Sequence, residues 1–382
     1  MRAMKGKYCA RISHIDRDAW NACFPGDAEA HEYYSACELA ERTGRMGAVC
    51  VSFDARIVAV APVFSMQFNL ESSFQPGAGS FARVLRAAAR RIRFPIVCIG
   101  SPYAERCHIG LRPGLTGIER RAVLRMLVAT VERRAVYARV GLVAIKDVLG
   151  GVADEVSVLL AEQGYARLPS LPVASLDLSG IRDVEGYLAT LSAGARRDVR
   201  RKLRSASGVR VEDRHDIAGV EAEIIMLYES VREASRFDYG ELEELPAEFF
   251  LQVSRQLGER ALFRLYWVGE TLAAFNLLLI EPDRIIDKFL GMRYPLAREH
   301  NLYALSWIEN VRLCLAQGVR TLQTGQTAYR EKIRLGSRLV PSSVWFKHRS
   351  VVTQWLLRAV APLASFERND PELRGALREL TP

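Results

Sequence analysis

Several signatures that mark common enzyme classes are missing from this 382-residue chain. It has no Gly-x-x-x-x-Gly-Lys-Ser/Thr run, no Gly-x-Ser-x-Gly elbow and no His-Glu-x-x-His pair, so nucleotide triphosphatase, serine hydrolase and metalloprotease chemistry drop out. The seven cysteines (Cys9, Cys23, Cys37, Cys50, Cys98, Cys107, Cys314) are odd in number, scattered and never spaced Cys-x-x-Cys. Neither a disulfide framework nor a metal site is expected from them. Cys107 beside His108 does not make a nucleophile pair, because adjacent residues on a strand point to opposite faces. No uninterrupted apolar run is long enough to cross a bilayer, and the opening residues MRAMKGKYCARISHIDRD lack the apolar core of a secretion signal. The expected location is the cytoplasm.

What the chain does have is length, apolar content and positive charge. Its 382 residues suffice for two domains that each bury a core, and 49% hydrophobic with 25% charged residues is the balance of a folded protein. Lys and Arg number 53 against 44 Asp and Glu, a formal net charge of +9. That excess favours anionic partners, and CoA, an acidic carrier protein, tRNA and a membrane headgroup all fit it. Arginine on an ordinary solvated surface is the competing explanation.

Along the chain the apolar pattern repeats. Ala48 to Phe53 and Ile57 to Phe64 read as a hairpin turning at Asp54, Pro95 to Gly100 as a strand, Thr116 onward as a long helix, and Gly141 to Ile145 as the next strand. A glycine-marked loop at Gly77 and Gly79 and a basic helical stretch, Phe81 to Arg91, are expected within that half. A helix over Asp154 to Gln163 follows, then Leu168 to Leu178, whose Pro169 and Pro172 predict an edge or crossover strand. The same order recurs later. Ala261 to Val268 and Leu272 to Ile280 make a hairpin at Gly269, followed by a strand from Ile285, a loop, a long helix and a short strand from Val319. The expected fold is therefore α/β with mixed sheets in two similar units. Residues 1–175 and 176–350 are taken as the domains and 351–382 as a helical tail.

In the second unit, Val184 to Ser207 predicts one helix with an apolar stripe of Val184, Leu188, Leu191, Ala195, Val199 and Leu203. Its last turns carry Arg196, Arg200 and Arg204 on one face, either as a solvated surface or as a clamp for donor phosphates or tRNA. After the next helix, Asp238 and Tyr239 lie either in a loop that lines an acceptor pocket or in an ordinary surface loop. From Ile285 a strand, a polar loop with Pro295, a helix that Asn301 can cap and a return strand offer unpaired N–H groups where an anion can dock.

This stretch also resembles a known family. Gly291-Met292-x-Tyr294, the loop, the aliphatic helix, Ala316-Gln317-Gly318, a short strand, then Gly325, Tyr329, Lys332 and Leu335-Gly336 are similar to the core of the Fem-type and cellulose-biosynthesis-protein-like branch of the GNAT superfamily. The resemblance runs from about Leu176 to Arg349. The chain departs from it at His300-Asn301, where relatives have a small residue and glycine, and in the two residues that separate Tyr329 from Lys332.

The resemblance implies two tandem GNAT-like domains and transfer of an acyl or aminoacyl group to an amine. The donor implied is acyl-CoA or an acyl carrier protein, used as a co-substrate with no tightly bound cofactor and with a small-molecule amine as acceptor. Aminoacyl-tRNA is the alternative donor, a non-catalytic binding module the alternative class, and DNA is not an expected partner. Carried onto this sequence, Leu290, Gly291 and Met292 would hold the acyl arm where two strands part, and His300, Asn301 and Leu302 a pyrophosphate. Asp287, an acid inside an apolar strand, is the candidate base or else the partner of Lys288 or an arginine. Tyr329 could return a proton to the leaving thiolate or be a core or rim tyrosine, and Lys332 could meet a carboxylate or phosphate of substrate or be only a surface charge.

Overall fold

The computed structural model describes residues 3–41, 45–69, 71, 87, 90, 93–149, 152–234, 245–364, 370 and 373–376. They divide into two compact units. One holds the chain up to Pro172 and again from Val340, and the other holds most of Val173 to Leu339. The boundary expected at 175/176 thus falls inside one strand, and the residues after Val340 group with the first unit instead of closing the second. The expected glycine loop at 77–79, most of the basic stretch at 81–91 and most of the tail after 364 lie outside the described residues.

The first unit opens with β1 (Met4–Cys9), α1 (Arg17–Asn21) and α2 (His31–Ala40). The hairpin β2 (Met46–Phe53) and β3 (Arg56–Asn69) turns at Asp54 and Ala55, both at positive φ (45° and 70°), the geometry that matches the twist of its strands. Then come β4 (Arg93–Ile99), β5 (Gly110–Leu111), α3 (Gly117–Tyr137), β6 (Leu142–Leu149) and α4 (Val152–Glu162). β1 to β4 pair antiparallel in sequence, and β4 pairs β6 in parallel, which requires the crossover that α3 supplies. Val123, Leu127 and Val131 of α3 pack with Val49, Val97 and Ile145 in one core.

β7 (Ala166–Asp177) leads into the second unit, where it pairs antiparallel through Ala174 to Asp177, downstream of both prolines. The single helix expected over 184–207 is two: α5 (Val184–Thr190) and α6 (Ala193–Ser205). Ser192 causes the break, since its Oγ accepts from the Ala195 N–H and starts a new helix. The expected apolar stripe still faces the core, joining Trp307, Ile308 and Val311. β8 (Val209–Arg214), α7 (Glu221–Ala234) and α8 (Phe249–Leu257) follow; α8 was not foreseen. The hairpin β9 (Ala261–Val268) and β10 (Thr271–Ile280), then β11 (Arg284–Met292), the short α9 (Leu296–Glu299), α10 (Leu302–Ala316) and β12 (Thr321–Gly325) complete the sheet in the order β7-β12-β11-β10-β9-β8. After α11 (Tyr329–Arg334) the chain returns to the first unit as β13 (Arg338–His348) and α12 (Val351–Val360), and β13 pairs antiparallel with β6.

Helices α5, α6 and α10 pack on one face of the second sheet, while Phe249 and Phe250 of α8 pack edge-on against Phe289 on the other. Adjacent strand residues point to opposite faces, so Ala274 meets the α10 side while Phe275 meets Phe250.

Candidate functional site

β11 and β12 run parallel but stay paired only briefly. Their ladder holds Arg284↔Thr321, Ile285↔Leu322 and Ile286↔Gln323 and then ends, although β11 continues to Met292. On its other edge β11 stays paired with β10, where Leu277 faces Phe289 and Leu278 faces Asp287, so that Lys288 is an extra residue. A one-residue bulge bends its strand and increases its twist. The extra residue sits two positions past the last pair with β12, and the bend accounts for the parting of the strands. Arg293 N–H donates to Ala273 C=O at 2.8 Å, and the alternation of an antiparallel ladder then turns the backbone of Gly291 toward β10 and that of Leu290 and Met292 toward the open edge.

Of the three residues expected to hold an acyl arm, Leu290 and Met292 are thus presented to the opening, while Gly291 serves another purpose. A Cβ on Gly291 would lie 2.2 Å from Phe275 Cε1 and 2.8 Å from the Leu227 carbonyl carbon. The glycine lets α7 lie close against the strand, on the face away from α10.

At the start of α10 the expected capping differs. Asn301 sits at φ 51° and makes no side-chain cap; its amide donates to Ser205 Oγ at 2.6 Å. The His300 and Asn301 N–H groups donate to Leu296 and Arg298 carbonyls at 3.0 and 3.3 Å, so neither is offered to a ligand. Leu302 is fully buried. The helix start nevertheless has no acidic residue in its first turn to oppose its dipole.

Beyond β12 the loop to α11 is held in an uncommon conformation. Gly325, Thr327 and Ala328 have φ of 74°, 62° and 50°. A β-branched residue there is costly and persists only where its surroundings impose it. Lys332 supplies part of that constraint: it is 6% exposed and its Nζ donates to Gln326 C=O at 2.8 Å. It is therefore not a surface charge. Tyr329, at the first position of α11, is fully buried. Tyr187 braces the end of α11, donating from its hydroxyl to Leu335 C=O at 2.7 Å and accepting from Trp307 Nε1 at 2.8 Å.

Asp287 lies where the strands part. Its oxygens accept from Asn276 Nδ2 at 2.8 Å and Asn310 Nδ2 at 3.1 Å, which ties β10, β11 and α10 together. Nearby, Arg264 forks onto Asp213 with both bonds at 2.7 Å, and burial holds the Tyr266 hydroxyl well above its ordinary pKa. Asn276 and Asn310 were missed in the sequence. The available signal was a lone asparagine within the apolar run Leu272–Ile280 and another on the aliphatic face of α10.

The basic helix α6 is partly neutralised. Arg200 pairs with Glu185, Arg201 with Asp198, and Lys202 with Asp198 at 3.0 Å and Glu331 at 3.6 Å. Arg334 on α11 joins Asp198 at 2.7 Å, and this bond chiefly holds the Asp198 carboxyl far below its usual range. Arg196 reaches only the Ala189 carbonyl, at 3.4 Å. Asp238 and Tyr239 lie outside the described residues. A cleft of about 450 Å³ lined by Leu178, Gly180, Ile181, Leu315 and Arg320 lies at the opposite end of β12, away from the opening. In the first unit, burial pushes the Cys107 thiol up to about 12, and His108 is occupied by Tyr34, Arg106 and Glu29. No metal-binding cluster occurs among the described residues.

Residues 193–332 match the family model described as acetyltransferase (GNAT) domain. A search of curated protein sequences returns no match. Among solved structures, the chain is similar to FemX with a TM-score of 0.58 at 11% identity, covering 94% of this chain and 100% of that one. It is similar to a tandem GNAT protein from the clavulanic acid biosynthesis pathway with a TM-score of 0.53 at 13% identity, covering 91% and 99%. A third similarity is to the C-terminal domain of a putative lysylphosphatidylglycerol synthetase from Agrobacterium fabrum, with a TM-score of 0.54 at 10% identity, covering 90% and 95%. At such identities the likeness is one of fold.

Proposed function

From a chain that carries a GNAT acetyltransferase domain within a tandem GNAT fold, we propose an N-acyltransferase whose donor is a thioester, acyl-CoA or acyl carrier protein, and whose acceptor is a small-molecule amine. The observation that carries this is the parting of β11 and β12 after three pairs, which leaves the backbone edge of Leu290 and Met292 free to receive the donor's amide-bearing arm as an added strand would be received.

In this proposal the amine nitrogen attacks the thioester carbonyl, a C–N bond forms, the C–S bond breaks, and the thiolate leaves. Most of the acceleration comes from holding the two reactants together and from N–H groups aimed at the developing oxyanion. Asp287, oriented by its two asparagine donors, accepts the amine proton directly or through water, and Tyr329, fully buried in the free protein, would have to be uncovered by the donor to return a proton to the leaving sulfur. Lys332 fixes the loop that borders the opening, and the dipole of α10, whose first turn holds no acidic residue, favours a donor phosphate near its start.

Arg200, Arg201 and Lys202 of α6 already pair with acids, while Arg196, Arg197 and Arg204 keep the helix positive, so aminoacyl-tRNA is the competing donor. Thermal unfolding with CoA, acyl-CoA, acylated carrier protein and aminoacyl-tRNA tests this. A donor at a hundredfold its dissociation constant adds about 2.7 kcal/mol, a rise of several degrees. A rise with acyl-CoA or acylated carrier protein is expected. A rise with aminoacyl-tRNA alone, steeply salt-dependent, would replace the donor. No rise with any of the four would leave a binding module, for which Asp287→Asn and Tyr329→Phe would have no effect in cells.

A further inference from the structure

Helix α12 is built inside out. Its inward residue is Gln354, 9% exposed, whose Oε1 accepts from His348 N–H at 2.8 Å and whose Nε2 donates to Phe346 C=O at 3.4 Å. At about 100° per residue, Val351, Val352, Trp355, Leu356 and Val360 fall within one half of the circumference. All five are exposed, at 83%, 71%, 68%, 51% and 43%. An apolar arc of this kind on a folded protein marks a surface that something apolar covers.

The occupant can be narrowed from what surrounds the arc. The described part of the chain's own tail does not cover it, because Asp370, Leu373 and Ala376 are themselves buried while α12 stays open. A second copy is poorly matched: ten residues of helix span about 15 Å by 10 Å, so the arc offers a few hundred Å², short of the roughly 800 Å² per partner of a stable dimer. The charge, by contrast, has one sign. From Val340 to Ala364 the sequence holds no Asp or Glu, and Arg349 and Arg358 are exposed at either end of the arc, Arg358 also donating to Gly164 C=O at 2.7 Å. Aliphatic side chains, a tryptophan and flanking arginines on one helix face suit the headgroup boundary of a bilayer that carries negative charge. No described helix is long and apolar enough to cross a membrane, so the contact would lie in the surface plane.

We infer that α12 is a peripheral anchor that seats the protein on anionic phospholipid. Co-sedimentation with vesicles of phosphatidylcholine and phosphatidylglycerol, against phosphatidylcholine alone, measures it. Wild-type protein is expected to bind the mixed vesicles about tenfold more strongly than the neutral ones. Trp355→Asp with Leu356→Asp is expected to lower that binding at least tenfold at an unchanged unfolding midpoint, since both side chains are exposed. Should that double variant misfold, Leu356→Ser alone still predicts a measurable loss. Arg349→Ala with Arg358→Ala should reduce binding to the mixed vesicles and leave the weak neutral binding alone. Equal binding by wild type and the Trp355/Leu356 variant would overturn the inference, as would equal binding to both vesicle types. A wild-type dimer that the same variant converts to monomer would assign the arc to a second copy instead.

Discussion

The two units use one device and put it to different use. In each, a parallel strand pair is bridged by a long helix: β4, α3 and β6 in the first, β11, α10 and β12 in the second. Past the last pair of the first unit, Ile99↔Ile145, the chain folds back onto its own sheet. Lys146 Nζ donates to Ala104 C=O at 2.8 Å, Cys107 N–H donates to Asp147 C=O at 2.7 Å, and Tyr103 and Ala104 are buried there. Helix α3 is sealed as well, by a capping box in which Thr116 and Glu119 satisfy each other and a carboxylate sits on the positive helix end. In the second unit the ladder between β11 and β12 ends at Ile286, and the first turn of α10 holds no acidic residue. A donor site on this scaffold needs an unspent strand edge and an unsealed helix start, and by these contacts only the second unit keeps both.

The largest expected effect comes from the lysine each unit places beyond its paired strands. Lys332→Met removes the ammonium that ties Gln326 and frees the loop of positive-φ residues. Displacing a site loop by about an ångström costs on the order of a hundredfold in rate, so acyl transfer should fall by about that factor while donor-induced stabilisation persists. Lys146→Met in the first unit should lower stability, because Asp147 loses its ion-pair partner, and leave the turnover of folded protein as it was. Turnover that drops equally in both variants would erase the distinction between the units.

The second effect concerns Gly291. If the glycine serves packing of α7, Gly291→Ala pushes a methyl into Phe275 and into backbone at Leu227, which cannot step aside. A loss of about 1–3 kcal/mol is expected from urea unfolding, with donor affinity of the folded protein unchanged. A stable Gly291→Ala protein that no longer binds donor would return the glycine to the acyl arm.

How much of this was legible in the sequence follows from what each feature depends on. The hairpins, the long helices and the strand after each were readable because period and turn residues are local, and the apolar stripe of Val184 to Leu203 reaches the core as expected. The resemblance led to Leu290 and Met292 through the short motif around Gly291. What stayed hidden is non-local. The bulge at Lys288 exists only relative to β10, the role of Gly291 only relative to α7, and the amide grip on Asp287 needs a strand and a helix brought together. Asn301 was misjudged for the same reason: it sits at φ 51°, away from the extended backbone of a cap residue, and its side-chain nitrogen donates to Ser205, remote in sequence.

The smallest effect reverses the sealing of the two helix starts. Asn301→Asp places a carboxylate where α10 now has none; aspartate tolerates the left-handed backbone, and the Ser205 hydroxyl can turn to it from Lys202 C=O, where it now donates at 2.8 Å. A charge at a helix N-terminus is worth about 0.3–1 kcal/mol to the helix, up to about 2 when partly buried, and the same charge repels an incoming phosphate. Affinity for a CoA-type donor should therefore fall roughly two- to thirtyfold in calorimetric titration, with stability unchanged or slightly raised. Thr116→Ala does the opposite to α3: it removes a cap at a cost of about 1 kcal/mol. No donor site should appear there, because the loop through Ala104 and Cys107 still fills the space beyond β4. Donor affinity that ignores Asn301→Asp would mean that the phosphate end of the donor lies elsewhere, while the arm along β11 would stand on its own evidence.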